Sequence, residues 1–361
     1  MKLLKTYEEY LIKLFLKQLL IVILIFTSLT FILNILEEIK FFKGLELSFY
    51  YPILFSLLNL PTLVFEIFPF IILITTQMFF IHLFNRDEIT ILKNYGIKNL
   101  DVIKIIAILS FLFGLFLIFG FHSFSSNLKH NYLSFKNNFT DDNKYLAVIN
   151  ENGLWIKDEV DNKINIINAE SIEKNIIKKV SISQLNSDYE PIKTIFAEKI
   201  DISSQIWKIN NAEIFNLDGT KSTKDYLDFN SNFNLHKINN LFSNLSSLNL
   251  LQLKSQFNDY KSLGYSTLDI ESQIHKLIVL PIYLVLMITI SSILMFNTKY
   301  NKSKIFNIII GILMSVSIYY INYFFNIMGT NERVPIFLSI WFPMFILSLF
   351  TIIGLLKINE K

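Results

Sequence analysis

No cysteine occurs anywhere in the 361-residue chain, so disulfides, thiolate metal sites and cysteine nucleophiles are excluded. Glycine and proline are sparse, with 10 and 7 residues, which suits a helical chain better than a β-barrel with its many tight turns. Charge is scarce as well: the net charge of only +3 provides no basic surface of the kind that nucleic acid requires. Signatures of chemistry are also missing. There is no Gly-rich loop followed by Lys and Ser or Thr to cradle phosphates, no nucleophile elbow and no His-Glu metalloprotease helix. Any ATP-driven work is therefore expected from another chain, and no cofactor is assigned to this one. His82, His122, His130 and His236 show no ligand spacing. Glu271 and His275 share a helix face and could form a metal pair, but such i,i+4 pairs are far more often solvated contacts, so no metal is assigned.

What is abundant is apolar surface. The apolar share is 52% and the mean hydropathy is +0.44, values of a membrane protein. Three apolar runs precede a long polar block, Leu11 to Leu36, Pro52 to Phe84 and Val102 to Phe121, and three follow it, Ile274 to Phe296, Ile305 to Asn326 and Pro335 to Leu356. Each is long enough to cross a bilayer, which takes about 20 apolar residues. The expected organisation is transmembrane helices 1 to 3 over 1–121, an extracytoplasmic domain over 122–273, and helices 4 to 6 over 274–361.

The first run is too long for a signal-peptide core and lacks a small-residue cleavage site, so it is expected to stay as a signal anchor. Positive charge sets the orientation. Lys2, Lys5, Lys13 and Lys17, then Arg86, Lys93, Lys98 and Lys104, then Lys299, Lys302 and Lys304, and finally Lys357 and Lys361 alternate with loops carrying only Lys40, Lys43 and Arg333. Both termini are expected in the cytoplasm and the polar block outside it. The second run is too long for one untilted span, and an interfacial helix to about Leu60, broken at Pro61 and followed by a span to Phe84, accounts for it. Glu66 stands out there, either as a functional acid or as one that simply reaches interfacial water.

The polar block predicts a β-domain with strands at Tyr145 to Asn150, Gly153 to Asp158, Lys163 to Ala169, Ile176 to Ser183, Ile192 to Ile202 and Ile206 to Leu217. Asp218-Gly219 is a hairpin signal. Such short, closely spaced strands indicate a sandwich or jelly roll whose inner face holds most of Trp155, Phe196, Trp207 and Phe215. That interior is either an ordinary core or an apolar groove for an acyl chain. A polar helix is expected from Leu248 to Leu263. In the loop after the second span, the stretch at about 85–97 predicts a short amphipathic helix, with acidic residues at its start, Ile89, Leu92 and Tyr95 on one face and Gly96 as its stop. Such a helix can dock in the groove of a soluble partner or serve as a passive linker.

Over its full length the chain resembles the lipopolysaccharide-export permeases LptF and LptG. Asn85-Arg86-Asp87-Glu88 with Gly96 resembles the family's coupling helix, and Leu60-Pro61 followed by Phe68-Pro69 resembles the start of its second span. Gly153-Leu154-Trp155-Ile156-Lys157-Asp158 resembles the first strands of its periplasmic domain, and Pro335 with Trp341-Phe342-Pro343 resembles its last span. The Gly-Leu-Trp-Ile-Lys-Asp stretch and the surroundings of Lys40 look more like LptG than LptF.

The resemblance implies a multi-pass protein of the inner membrane of a Gram-negative bacterium, with a periplasmic β-jelly-roll domain between helices 3 and 4. Its implied partners are a second, LptF-like permease, a cytoplasmic LptB-like ATPase dimer that binds ATP and Mg, a bitopic LptC-like protein and a periplasmic LptA-like bridge. Glu88 would be the main ATPase-coupling residue, supported by Arg86, Asp87 and Gly96. Lys40 and Lys43 would bind the lipid A phosphates, although Lys at that height also serves as ordinary interfacial anchoring. Where some members have a further Lys in the first span, this chain has Asn34, and Glu37 and Glu38 dilute the positive field. Three other readings stay open at this stage. They are a permease of another lipid or lipoprotein exporter, whose extracytoplasmic domain would follow the first span, a membrane scaffold or sensor, and, least supported, a membrane enzyme.

Overall fold

The computed structural model describes residues 5–43, 48–137, 139, 154–160, 162–173, 175–235, 238, 244–262, 265–297 and 304–359. The expected strand at Tyr145 to Asn150 lies outside these residues, as do Gly153, His236, Lys299 and Lys302. The chain divides into two compact units, one of residues 1–128 with 268–361 and one of residues 129–267.

The first unit is helical. It contains α1 (Thr6–Phe42), α2 (Tyr50–Glu66), α3 (Phe68–Asn85), α4 (Glu88–Asn94) and α5 (Asn99–Phe116). A π-turn at Leu117–Phe121 leads from α5 into α6 (His122–Asn137). The helices after the β-domain are α8 (Leu268–Asn297), α9 (Lys304–Thr330) and α10 (Ile336–Asn359). Six helical stretches are long and apolar enough to cross a membrane: Thr6–Phe42, Phe68–Asn85, Asn99–Asn137, Leu268–Asn297, Phe306–Thr330 and Ile336–Ile358. The centre of the bundle is α8 with α3. In their most apolar stretches 67% and 61% of residues are buried, against 17% in α1 and α9.

Close approach of α5 to α8 depends on Gly114, where an added Cβ would lie 2.7 Å from the Cα of Pro281. Small residues at such crossings let backbones meet, which is how helices associate when lipid removes the hydrophobic drive between them.

The break in the second apolar run lies at Ile67, not at Pro61. Pro61 sits inside α2, whereas Ile67 (φ −90, ψ 4) separates α2 from α3 and Pro69 occupies the first turn of α3. A proline in a first turn lacks only an N–H that would be unpaired anyway, so Pro69 suits a new helix start. The third span also runs further than its apolar residues indicate. Asn99–Asn137 is one helical stretch of 39 residues, about 58 Å at 1.5 Å per residue, against a hydrocarbon core of about 30 Å. The polar block thus begins as helix, with His122, Ser125 and Ser126 buried and Thr62 of α2 donating to the Ser125 carbonyl at 3.1 Å.

The second unit is a six-stranded antiparallel sheet in which each strand pairs with its sequence neighbour. Its strands are β1 (Leu154–Val160), β2 (Lys163–Glu173), β3 (Ile176–Leu185), β4 (Pro191–Asp201), β5 (Ile206–Asn216) and β6 (Lys221–Asn230), followed by α7 (Leu250–Ser262). The predicted hairpin joins β5 to β6, with Gly219 at φ +78, a conformation that favours glycine. Beside it, hydrogen bonds from the Thr220 hydroxyl and backbone amide hold the Asp218 carboxyl below its ordinary pKa. β6 escaped the sequence reading because it is almost wholly exposed and reads Lys-Ser-Thr-Lys-Asp, charge that also guards the end of the sheet. Six apolar membrane-length helices with this jelly-roll-like β-domain between the third and fourth give the expected fold class.

One face of the sheet forms the core, with Ile167, Ile182, Ile195, Trp207 and Ile209 packed with Phe233 from beyond β6. Of the four aromatics expected inside, only Trp207 is there, fully buried, with its indole N–H donating to the Phe233 carbonyl at 2.8 Å. Trp155 is 55% exposed, Phe196 45% and Phe215 37%, so these three are corrected to the opposite face. The pleat is the reason. Ile156, paired with Ile167, points inward, and so Trp155, one residue earlier, points out. Phe196 and Phe215 meet edge to face on that outer side, with centroids 5.6 Å apart.

Asp158, which ends the Gly-Leu-Trp-Ile-Lys-Asp motif, is 1% exposed and tethers the chain after β6 to β1. Its carboxylate accepts from the Ser231 hydroxyl at 2.7 Å, the Asn232 backbone amide at 3.1 Å and the Asn232 side-chain amide at 3.0 Å. A buried carboxylate is tolerated when its lone pairs are met in this way.

Two stability outcomes follow. Asp158→Ala leaves these donors unpaired and destabilises the β-domain by about 2–4 kcal/mol, whereas exposed Glu159→Ala changes it by less than about 0.5 kcal/mol. Trp207→Ala costs about 3–5 kcal/mol and Trp155→Ala about 1 or less. Amide exchange of β1 to β5 in the full-length protein reads both. Equal effects at Trp207 and Trp155 would contradict the assignment of faces.

Candidate functional site: the α3–α4 corner and the ends of α1

Arg86 and Asp87 form the corner between α3 and α4. Arg86 caps α3, and Asp87 turns the chain in the left-handed region at φ 53, ψ 20, which Asp tolerates better than most residues. The helix that follows is shorter than the predicted 85–97, because both ends are taken up by turns. At its far end, the Gly96 N–H donates to the Lys93 carbonyl at 2.8 Å and the Ile97 N–H to the Leu92 carbonyl at 3.0 Å, with Gly96 at φ +81. This is a Schellman stop, and its left-handed residue explains the glycine.

The faces of α4 differ from the predicted ones. Ile89 is buried and Leu92 half-buried, but Tyr95 is 82% exposed and Ile91 51%. Glu88, Ile91 and Tyr95, spaced by three and four, therefore form one stripe, a carboxylate followed by two apolar side chains. Ile91 was missed by the sequence reading. Counting from Glu88 instead of from Ile89 would have found it. The Glu88 carboxylate accepts a hydrogen bond from the Tyr10 hydroxyl of α1 at 2.7 Å, a contact spanning 78 residues of sequence.

The C-terminal end of α1 carries Lys40 in its last turn and Lys43 at its cap, both exposed. Their spacing puts them on one face together with exposed Glu37. Glu38 turns inward and is 2% exposed, so it is Glu37 that offsets the lysines at the surface. Asn34 also turns inward. It accepts from the Asn59 side chain at 3.0 Å and donates to the Ser56 carbonyl at 3.4 Å, which fastens α1 to α2.

At the start of α8, His275 accepts from the Trp341 indole of α10 at 3.4 Å and meets the Phe337 ring edge to face. His275 thus serves helix packing. Among the described residues no three His, Asp or Glu side chains converge as metal ligands do. Trp155, Phe196 and Phe215 belong to the outer face of the sheet and are not brought together with Trp207.

No curated protein matches the chain. A family does: residues 9–357 match the lipopolysaccharide export system permease LptF/LptG. The match runs through all six apolar helices and the β-domain alike, so it covers both the α3–α4 corner and the basic end of α1. The chain is therefore a multi-pass membrane protein that belongs to the LptF/LptG family of lipopolysaccharide export permeases.

Proposed function

We propose that the chain is the LptG-like half of a heterodimeric permease of an ABC transporter, which takes lipopolysaccharide from the inner membrane and passes it to a periplasmic bridge. The observation that carries this reading is the stripe of Glu88, Ile91 and Tyr95 on α4. A short helix is held rigidly by buried Ile89 beneath and a Schellman stop at its end, while its outer side offers one carboxylate and two apolar side chains. That is the equipment for seating in a groove of a soluble partner and pairing with a basic group there. The chain has no phosphate-cradling loop of its own, and the partner that the family resemblance implies is a cytoplasmic ATPase dimer that binds ATP and Mg.

Arg86 and Asp87 set the angle of the corner, and Gly96 fixes where the helix ends. At the other end of the first span, Lys40 and Lys43 present two ammonium groups on one helix face, suited to the phosphates of lipid A. A second, LptF-like permease, a bitopic LptC-like protein and an LptA-like bridge complete the route. Both termini lie in the cytoplasm and the β-domain in the periplasm, the orientation that the distribution of Lys and Arg supports.

Two experiments test this. Because the chain has no cysteine, one substitution gives a single reporter thiol. With an impermeant maleimide, Lys208→Cys in exposed β5 is expected to react in spheroplasts, and Lys93→Cys in α4 only after permeabilisation. The reverse pattern would sink the orientation. In a reconstituted complex with the cognate ATPase and second permease, Glu88→Ala is expected to weaken ATPase association about tenfold or more and to stop ATP-dependent transfer of lipopolysaccharide to an acceptor. Unchanged association and transfer would remove the docking reading and leave a scaffold or sensor.

A further inference from the structure

We propose that Tyr10 is the positioning residue that fastens the ATPase-docking helix α4 to the first span α1, through the carboxylate of Glu88. This rests on the docking reading of α4 and adds the route by which a displacement leaves that helix.

The Tyr10 hydroxyl donates to Oε2 of Glu88 at 2.7 Å. A carboxylate accepts at both oxygens, so a cation of a docked partner can take Oε1 while Tyr10 keeps Oε2. The donor type matters. A lysine in place of Tyr10 would neutralise Glu88 and compete with the partner's cation, whereas a neutral phenol orients the carboxylate and leaves its charge in place. The phenol thus prepares Glu88 for a cation rather than satisfying it.

Tyr10 is also suitably placed on α1. Leu11, Leu14 and Phe15 beside it are buried, and Phe15 meets Phe79 of α3 edge to face with centroids 5.7 Å apart. From Ile23 to Leu33 no residue of α1 is fully buried, and burial returns at Asn34, Glu38 and Phe42. The helix is therefore buried most deeply near its two ends and packs more lightly between them, where Phe26 meets Phe70 of α3 edge to face with centroids 5.0 Å apart. A continuous helix carries a push along its axis. From Tyr10 to Lys40 that distance is about 45 Å at 1.5 Å per residue. Movement of α4 is delivered through Glu88 and Tyr10 to α1, and along α1 to the end that bears Lys40 and Lys43.

The test uses the reconstituted complex with its ATPase and second permease and compares Tyr10→Phe, Glu88→Gln and the double variant. The readout is lipopolysaccharide released to an acceptor per ATP hydrolysed. Tyr10→Phe keeps the ring and removes one hydrogen bond to a charged group at a half-exposed site. It is expected to lower that ratio about fivefold. If Tyr10 acts through Glu88, Tyr10→Phe adds no further loss in the Glu88→Gln background, a non-additivity that a purely structural role would not produce. An unchanged ratio for Tyr10→Phe while Glu88→Gln uncouples overturns the role of Tyr10 and leaves the docking reading standing. Losses that multiply in the double variant overturn it too. If Glu88→Gln itself neither weakens ATPase association nor uncouples, the docking reading falls and takes this proposal with it.

Discussion

Inside an apolar bundle an unpaired polar group is costly, and that constraint organises much of the helical unit. Backbone groups meet it by forming helices, since hydrocarbon offers no other donor or acceptor. Several polar side chains turn back on their own helix, as Thr76 and Ser292 do, and others join one helix to the next. Ser291 of α8 donates to the Leu73 carbonyl of α3 at 2.9 Å, and Gln77 of α3 donates to the Asn307 carbonyl of α9 at 2.8 Å. Thr62 joins α2 to α6, Asn34 and Asn59 join α1 to α2, and Ser272 joins α8 to α9. Each bond is modest by itself in a membrane, about 0.6 kcal/mol on average. Together they fix rotation and register, which apolar packing between similar surfaces leaves loosely defined.

The β-domain answers the same constraint differently. Its strands satisfy one another laterally, and the buried side closes over isoleucine, Trp207 and Phe233. The polar exceptions are paired. Asp158 meets Ser231 and Asn232, and beside it on the inner face Gln184 donates to Asn165 at 2.9 Å. Asp158 therefore explains the last position of a motif that by sequence alone is only a resemblance. A carboxylate is needed there because several donors from the segment after β6 converge on one point.

The sequence revealed what depends on local pattern and hid what depends on facing partners. Apolar length marked the six membrane-length helices, and strand-like runs between Asn, Asp, Gly and Ser turns placed β1 to β5 within a few residues of their observed ends. Composition could not tell which face of a strand an aromatic occupies when both faces carry one. Trp207 and Phe215 lie on the same strand with opposite outcomes, because the left-handed backbone of Asn211 between them (φ 53) interrupts the alternation. Pro61 and Pro69 were equally visible, but only the path of the chain shows which one opens a helix. At the α4 corner the residues were legible and their faces were not. Buried Ile89 and half-buried Leu92 set the inner side of so short a helix, and Tyr10, far away in sequence, carries no local signal at all.

The end of α1 shows how one position changes the meaning of its neighbours. By the family resemblance, Asn34 stands where some members have a further lysine. In the fold it is a buried clasp to Asn59, a place where an ammonium group would be costly to desolvate. Glu38 turns inward, and at the surface exposed Glu37 beside Lys40 and Lys43 leaves those three side chains with a single net positive charge. Lys40 and Lys43 also sit at a helix C-terminus, where each gains about 0.3–1 kcal/mol from the macrodipole, so part of their placement is explained without any ligand.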